Sequence, residues 1–404
     1  MVAPKRKIIN DPVYGFITIN HPLIFSILAH PYYQRLRRIT QMAMGQLVYP
    51  GAVHTRFHHS LGAYHLMGNA VNELRSKGTE ITEEEEIAVK AAILLHDIGH
   101  GPYSHALEHV VVKGVHHEAL SLQIMHEMNA AFDGQLTLAI EIFTGAYHKP
   151  FLHQLISGQL DMDRMDYLSR DSFFCGVSEG VIGYDRILKM LVVVDGQLMI
   201  EEKGIYSVEK FLVARRQMYW QVYLHKTVLS AEKMMVKILE RARSLYTSTD
   251  PAMQTQSALD YFLGAFTGVM DSFALAQFCA LDDHDIMHAI KRWSAHPDKV
   301  LSLLCSRFLT RKLYKTTIQS EPFLAATIAA KQKESLAALE LDPSEVDYVC
   351  FTGEATNTLY QTKDERINIL FKDGSIKDIS LIDNALIHQN LSAAVKKNYI
   401  CQLL

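Results

Sequence analysis

The sequence has 404 residues, 49% of them hydrophobic, a length that suits one large core with an added subdomain. Lysine and arginine number 40 against 44 aspartate and glutamate, so the net charge of -4 excludes a chain built mainly to coat nucleic acid or an acidic membrane. The five cysteines form no CxxC pair, and the chain shows no signal peptide and no apolar run of membrane-spanning length. These features predict a cytoplasmic protein with reduced thiols, no membrane contact and no obligate nucleic-acid partner.

The first strong helix signals fall at residues 59–75 and 82–98. The second stretch, TEEEEIAVKAAILLHDI, opens with threonine and glutamate in capping-box spacing, repeats apolar residues along one face and stops at Gly99. This pattern predicts a buried helix whose last turn carries His96 and Asp97.

Two short hairpins and a long helix are predicted further along the chain. LVVVDGQLMI (191–200) alternates around an Asp-Gly turn, and INILFKDGSIKDI (367–379) does the same. The stretch 208–246 has the pattern of one helix, and STDP at 248–251 marks a break before more helix.

The predicted fold is therefore mainly α, a helical core with short β-hairpins and a smaller C-terminal α+β region. The break divides the chain into a core at 1–247, which holds the candidate site, and a region of helices and a hairpin at 248–404. We expect the second region to act as a lid or as an oligomer contact.

Histidine is the unusual component of the composition, with 20 residues, more than half of them in three successive stretches. These stretches are 54–65, 96–109 and 116–126. A lone histidine is usually a structural side chain with a satisfied hydrogen bond, but successive clusters indicate a site. The middle stretch belongs to LLHDIGHGPYSH, which continues the predicted buried helix beyond its last turn.

Divalent metal ions need nitrogen and oxygen ligands that converge from different elements. Adjacent His96 and Asp97 can supply two of them. RFHHSLGAYH offers His58 or His59 from the preceding helix. The residues alone do not decide between these two histidines.

Acidic ligands are available in QLDMDRMDYLSRD. There Asp163, Tyr167 and Asp171 lie four residues apart, on a helix face where an amphipathic core helix would carry leucine. This polar stripe indicates a site. The alternative is a solvated face on which Asp163, Asp166 and Arg164 pair with each other, and the pattern by itself leaves both interpretations open.

Several motifs occur in order between about residue 7 and residue 226. They are KIINDPVYGFI, QRLRRITQ, YPGAVHTRFHHSLG, LLHDIGHGPYSH, HHE, LDMDRMDYLSRD and RRQMYWQVYLHK. Together they resemble the HD-domain phosphohydrolases, in particular the deoxynucleoside triphosphate (dNTP) triphosphohydrolases of the SAM-and-HD-domain type and their bacterial dGTPase-like relatives. The resemblance implies an HD-domain core and one divalent ion (Mn, Fe, Zn, Ni or Mg), with the ligands His59, His96, Asp97 and Asp163.

The same resemblance implies roles for the surrounding residues. Those that would face the phosphates are Arg56, Arg164, Arg215, Lys226, His100 and His105. Gln41, Tyr167 and Asp171 would hold the sugar, and Tyr223 would lie at the base. His117 with Glu118 is similar to the proton-handling pair of these enzymes, so the implied catalytic residues are His117, Glu118, His105 and His100. On the predicted helix, Arg215, Tyr219 and Tyr223 are four apart and would share one face.

Three functions agree with these residues. The first is metal-dependent hydrolysis of a dNTP to deoxynucleoside and inorganic triphosphate. The second is another HD-domain hydrolysis, of nucleoside monophosphates or of cyclic or signalling nucleotides, and the third is nucleotide binding without catalysis. The number of basic residues favours the first over the second, and the complete set of implied ligands disfavours the third. The resemblance also implies a homo-oligomer, dimer or tetramer.

Overall fold

A computed structural model describes residues 6–112, 114–357, 366–382 and 395–404 of the chain. The α-helices are α1 (Pro22–Ala29), α2 (Pro31–Gln34), α3 (Arg56–Ser76), α4 (Glu83–Leu95), α5 (Glu108–Val111), α6 (His117–Ala131), α7 (Thr137–Phe143), α8 (Pro150–Gln154), α9 (Met162–Cys175), α10 (Tyr184–Met190), α11 (Ile205–Gln217), α12 (Lys226–Leu245), α13 (Leu259–Gly264), α14 (Ser272–Ala280), α15 (Asp283–Trp293), α16 (Lys299–Leu309), α17 (Ala325–Leu339) and α18 (Val346–Val349). The strands are β1 (Lys7–Asp11), β2 (Gly15–Ile19), β3 (Leu191–Val194), β4 (Gln197–Glu201), β5 (Lys315–Gln319), β6 (Cys350–Asn357), β7 (Asn368–Leu370), β8 (Ile376–Asp378) and β9 (Val395–Gln402). The predicted mainly α fold is confirmed.

Helices α3, α4 and α9 form the part of the core that carries the candidate site, because α3 packs against both of the others. The predicted capping box of α4 is present: Glu85 N donates to Thr82 Oγ1 (3.1 Å), and Thr82 N donates to Glu85 Oε2 (2.8 Å). The helix ends at Leu95, slightly earlier than predicted, because the chain tightens into a turn in which Ile98 N donates to Leu95 O (3.0 Å). His96 and Asp97 therefore lie just beyond the last helical residue.

Gly99 allows α6 to approach this turn closely. A Cβ atom on Gly99 would overlap the carbonyl oxygen of His117 and the backbone nitrogen of Ser121. Only glycine leaves room for this contact. The first residue of α6, His117, is thereby placed beside the turn that carries His100.

The stretch 208–246, predicted to be helical, is helical in three segments rather than one. The structure has α11, a π-helix at Met218–Tyr223, and then α12, which begins after a break at which the His225 side chain accepts a hydrogen bond from Thr227 N (3.2 Å). The wider turn of a π-helix changes the facing of successive side chains. Tyr219 Oη donates to Thr356 O (3.0 Å) in strand β6, whereas Tyr223 Oη donates to Asp171 Oδ2 (2.8 Å), so the two tyrosines have different partners.

Both predicted hairpins are confirmed. Strands β3 and β4 pair through a turn in which Asp195 and Gly196 have φ of 51° and 75°, and β7 pairs antiparallel with β8. The sequence patterns did not predict that β4 pairs parallel with β7, which makes one sheet in the order β3-β4-β7-β8. Elements on either side of the predicted boundary at 247 thus share a sheet.

Two more sheets occur in the described residues, the hairpin β1-β2 and a sheet in the order β5-β9-β6 that was not predicted. Helix α12 packs on both α16 and β5, so apolar residues before and after the break at 248–251 belong to one core cluster. In the described part of the chain, no helix is both long and apolar enough to cross a membrane.

Candidate active site

Four side chains that the resemblance implies as metal ligands converge between α3, α4 and α9. His59 Nε2 lies 3.0 Å from Asp163 Oδ1 and 3.4 Å from His96 Nε2. Asp97 joins them, with Oδ2 3.5 Å from His59 Nε2 and Oδ1 3.4 Å from His96 Nε2. His59, His96 and Asp163 each direct a ligand atom into a common space. The group fits a divalent ion because two nitrogens and two carboxylates suit such an ion.

The outer nitrogens of both histidines are occupied, which leaves the inner ones available. His59 Nδ1 donates to Asp166 Oδ2 (2.7 Å), and His96 Nδ1 donates to the carbonyl oxygen of Ile93 (2.6 Å). Such partners orient a ligating imidazole and select the tautomer whose Nε2 carries the lone pair. Burial opposes protonation, yet hydrogen bonds with Asp163 and Asp166 raise the pKa of His59 to about 10. The carboxylates thus attract positive charge to this space.

Asp166 is a functional candidate that the sequence analysis assigned only to an alternative surface cluster. It is fully buried and accepts hydrogen bonds from Arg170 Nε and Nη2 (both 3.0 Å), and Arg170 Nη1 in turn donates to Asp11 Oδ2 (2.8 Å). The solvated-face alternative is therefore wrong for this residue. The signal that could have identified it is the spacing of Asp166 and Arg170, four apart on α9.

We expect Asp166→Asn to weaken metal binding by about 10- to 100-fold. The amide has one acceptor oxygen where the carboxylate has two, so its NH2 group would face a second donor and the orientation of the His59 ring would be lost. The substitution keeps the side-chain volume beside Arg170. Equilibrium dialysis against Co²⁺, followed by elemental analysis, measures the affinity. Asp185→Asn, at an exposed position in α10, is the control. Equal affinities for the two variants would contradict the orienting role.

Three further histidines form a second cluster next to the first. His100 Nε2 lies 3.3 Å from Asp97 Oδ1, and its ring stacks on that of His117 with centroids 4.0 Å apart and planes at 16°. His105 packs edge-on against both rings. Burial, reinforced by the positive charge of Arg56, holds the pKa of His100 well below its usual range.

The nitrogens of this second cluster are close enough together to suggest another metal site. The ring geometry argues against it, because the rings of His100 and His117 stack in nearly parallel planes with centroids 4.0 Å apart, and a lone pair in one ring plane does not meet a lone pair in the other. Ligands of one ion must converge on it. We interpret the cluster as a group that contacts phosphate or transfers protons.

The structure pairs His117 with Glu108 rather than with Glu118, whose catalytic role stays a prediction of the resemblance. Glu108 Oε1 accepts from His117 Nδ1 (2.7 Å) and from His117 N (2.9 Å), and its Oε2 accepts from His105 Nδ1 (3.1 Å). Glu118 is exposed. Successive residues on an α-helix point about 100° apart, so Glu118 turns away from its neighbour in α6.

The four basic residues predicted to bind phosphate differ in their burial and in their partners. Arg56 is buried, forms an ion pair with Asp97 and donates through Nε to Ser104 Oγ (2.6 Å). Arg164 Nη1 lies 3.3 Å from Asp161 Oδ2, and Arg215 Nη1 donates to Gln159 Oε1 (3.1 Å). Lys226 is exposed at the first residue of α12, and the described residues include no ion pair between it and the rest of the site.

The residues predicted at the sugar and base lie together. Tyr167 and Tyr223 meet edge to face with ring centroids 6.4 Å apart, and Tyr223 Oη donates to Asp171 Oδ2 (2.8 Å). Burial raises the pKa of Tyr167 to about 12, although the positive charges of Arg215 and Arg164 oppose this shift.

His54, which the sequence analysis did not assign, completes this side of the site. Its Nε2 bonds to Asp171 Oδ1 (2.7 Å), so both oxygens of Asp171 have protein partners. Its carbonyl oxygen accepts from the backbone nitrogen of Gln41 (3.0 Å). The buried side-chain oxygen of Gln41 has no hydrogen-bond partner among the described residues, which leaves an acceptor for a ligand.

Comparison with known proteins agrees with this geometry. Residues 56–171 match the HD domain family, and residues 182–261 match the family described as the HD associated region. A solved phosphohydrolase from Bacteroides thetaiotaomicron is 48% identical, with a TM-score of 0.92 over 99% of this chain and 100% of that one. The chain belongs to the HD-domain phosphohydrolases. The resemblance drawn from the sequence motifs is confirmed.

Two curated proteins are similar to this chain at lower identity. The uncharacterized protein YwfO of Bacillus subtilis is 32% identical over 390 residues, covering 93% of this chain and 87% of that protein. A protein of Dictyostelium discoideum, named as a deoxynucleoside triphosphate triphosphohydrolase SAMHD1 homolog, is 31% identical over 266 residues, covering 61% of this chain and 51% of its own length.

Proposed function

We propose that this HD-domain phosphohydrolase cleaves deoxynucleoside triphosphates, in a metal-dependent reaction, to deoxynucleoside and inorganic triphosphate. The observation that carries the proposal is the contact of His100 with Asp97, which joins the candidate metal ligands to the stacked His117 and its partner Glu108. A Lewis acid and a proton donor both assist phosphate hydrolysis, and the residues that would hold the first lie beside those that would supply the second. Similarity to a named triphosphohydrolase supports the choice of substrate.

His59, His96, Asp97 and Asp163 would hold the ion. When bound, a divalent ion would polarise an α-phosphate oxygen and lower the pKa of a nearby water molecule. Arg164, which pairs with Asp161, and Arg215, which donates to Gln159, would offset the charge of the phosphates.

Attack at the α-phosphorus expels the 5'-oxygen, a poor leaving group that requires a proton. His117 or His105 would supply it, because Glu108 holds the Nδ1 of each ring and leaves the Nε2 of each for the substrate. The deoxynucleoside and the intact triphosphate would leave after one step.

A second candidate function is hydrolysis of a nucleotide with fewer phosphates by the same centre. One observation favours it: Arg56 is already paired with Asp97, and Lys226 is exposed, so fewer basic groups face the site than the resemblance implies. A monophosphate or a cyclic nucleotide needs less positive charge than a triphosphate.

The homo-oligomeric state stays a prediction of the resemblance.

Product analysis distinguishes these functions. dGTP, the other dNTPs, nucleoside monophosphates and cyclic nucleotides are incubated with Mn²⁺ or Mg²⁺, and the products are separated by anion exchange. We expect deoxynucleoside with intact triphosphate from dNTPs. Appearance of dNMP with pyrophosphate would contradict attack at the α-phosphorus that expels the 5'-oxygen, and cleavage of monophosphates or cyclic nucleotides alone would favour the second function.

We further expect dNTPs to be preferred over NTPs, with Tyr167 as the discriminating residue. The resemblance puts this ring where a 2'-hydroxyl would go, and exclusion of one hydroxyl by shape gives roughly 100-fold selectivity or less. Tyr167→Ala should reduce the ratio of kcat/KM for dGTP over GTP. Tyr167→Phe should retain it, because a steric block needs no hydroxyl group. Tyr206→Ala, at a position 77% exposed, is the control. Equal wild-type turnover of dGTP and GTP would refute the assignment.

A further inference from the structure

A carboxylate from the C-terminal region lies beneath the active-site loops. Asp283 is the first residue of α15 and is 6% exposed. Its Oδ2 accepts from Thr40 N and Thr40 Oγ1 (both 2.8 Å), and its Oδ1 accepts from Tyr103 N (2.7 Å). One side chain thus holds two loops that are far apart in sequence.

Both loops carry residues of the candidate site. Thr40 precedes Gln41, whose unpaired side-chain oxygen is available to a ligand, and Tyr103 lies between His100 and His105. Tyr103 and the following Ser104 have φ of 52° and 50°, in the left-handed region that side chains of L residues disfavour. The hydrogen bond from Tyr103 N to Asp283 stabilises this turn in its strained form.

Ser104 links this turn to the candidate metal site through hydrogen bonds. Its Oγ accepts from Arg56 Nε (2.6 Å) and donates to Thr40 O (3.3 Å). Arg56 in turn pairs with Asp97, a candidate ligand. A shift of the Tyr103–Ser104 turn would therefore move both Arg56 and His105.

The helix that supplies Asp283 is itself anchored to the core beside the metal site. The fully buried Arg35 donates through Nη1 to Leu281 O (3.2 Å) and through Nη2 to Ile98 O (3.1 Å). The first of these carbonyls precedes α15, and the second follows His96 and Asp97. The N-terminus of α15 also favours a carboxylate at its first residue.

We propose that Asp283 is a positioning residue of the active site, which holds the loops at Thr40 and Tyr103 in register so that Gln41 and His105 face the substrate and Arg56 stays paired with Asp97. The proposal rests on the proposed function for its catalytic consequence, but its structural consequence is independent of the substrate. It assigns the region after residue 248 a role other than a lid or an oligomer contact.

The test compares Asp283→Ala and Asp283→Asn with Asp285→Ala. Asp285 belongs to the same helical turn, where its side chain accepts from Asp282 N (2.8 Å) as part of the capping box. Asp285→Ala therefore weakens the same helix terminus without removing a bond to either loop. Asp283→Asn keeps the volume and one acceptor oxygen, so it is the variant to use if the alanine variant does not fold.

The first measurement is hydrogen–deuterium exchange, which needs no substrate. In both Asp283 variants we expect exchange to become about tenfold faster in peptides that cover 39–42 and 101–107, with α3 and α4 unchanged. The Asp285 variant should leave these two peptides at the wild-type rate. Unchanged exchange in both loops, or equal acceleration throughout the chain, would overturn the proposal.

The second measurement is steady-state turnover of dGTP with the metal content determined on the same samples. Asp283→Ala should lower kcat by about 100-fold at unchanged metal content, since a displacement near 1 Å has an effect of this size. Asp283→Asn should retain more activity, and Asp285→Ala should match wild type. A loss that appears only in KM, or only with loss of metal, would count against positioning. If wild type cleaves no dNTP, the proposed function fails, and the exchange result alone decides the role of Asp283.

Discussion

His96→Ala and Asp97→Ala are each expected to remove a tightly held divalent ion, one per chain, and with it the hydrolytic activity. His96 Nε2 lies within 3.5 Å of Asp163 Oδ1 and within 3.4 Å of His59 Nε2, so its loss opens one side of the ligand set. Asp97 also pairs with Arg56 and contacts His100, so its loss frees two neighbours as well. Turnover should fall roughly a thousandfold or more, because polarisation of the phosphate depends on the ion.

Elemental analysis after gel filtration gives the metal content of each variant. A thermal melt with added Mn²⁺ gives an independent measure, since a ligand that binds only the folded state raises the unfolding temperature of wild type and not of a variant that cannot bind it. His126→Ala, at an exposed position of α6, is the histidine control. A metal content equal to that of wild type in both His96→Ala and Asp97→Ala would contradict the ligand assignment.

The second large effect is expected for His117→Ala, which should lose far more rate than nucleotide affinity. A general acid contributes about 10²- to 10⁴-fold through the transition state, so kcat should fall by this factor while the dissociation constant of the nucleotide changes little. Single-turnover kinetics and equilibrium binding measure the two quantities separately. A parallel loss of affinity would indicate a binding role.

Variants of Glu108 and Glu118 test the same prediction, because the structure pairs His117 with Glu108. Although burial opposes it, hydrogen bonds from His105 and His117 hold the pKa of Glu108 well below its usual range. Glu108 is therefore an anion throughout the range in which histidines titrate. Glu108→Gln should lower kcat strongly, whereas the matched Glu118→Gln should have little effect. The reverse result would restore the pairing inferred from the motif HHE.

Much of the local structure could be predicted because its causes act within a few residues. The capping box of α4 sets the start of that helix, and an Asp-Gly pair between alternating residues sets the hairpin of β3 and β4. The stretch 208–246 was predicted to be helical, but its division into three helical segments was not. The π-helix spans only six residues, and an apolar pattern averaged over the whole stretch does not reveal so local a change in the turn.

Fold class, family and the residue types from which a metal site can be built were all predictable from the ordered motifs and their spacing. Which side chains meet depends on tertiary packing. Asp166 orients His59 from 107 positions away, and Asp283 holds Thr40 from 243 positions away. The physical reason is that capping, turn and periodicity signals are local. Contacts between distant segments depend on how whole helices pack, and α6 could approach the turn after α4 only where Gly99 leaves space.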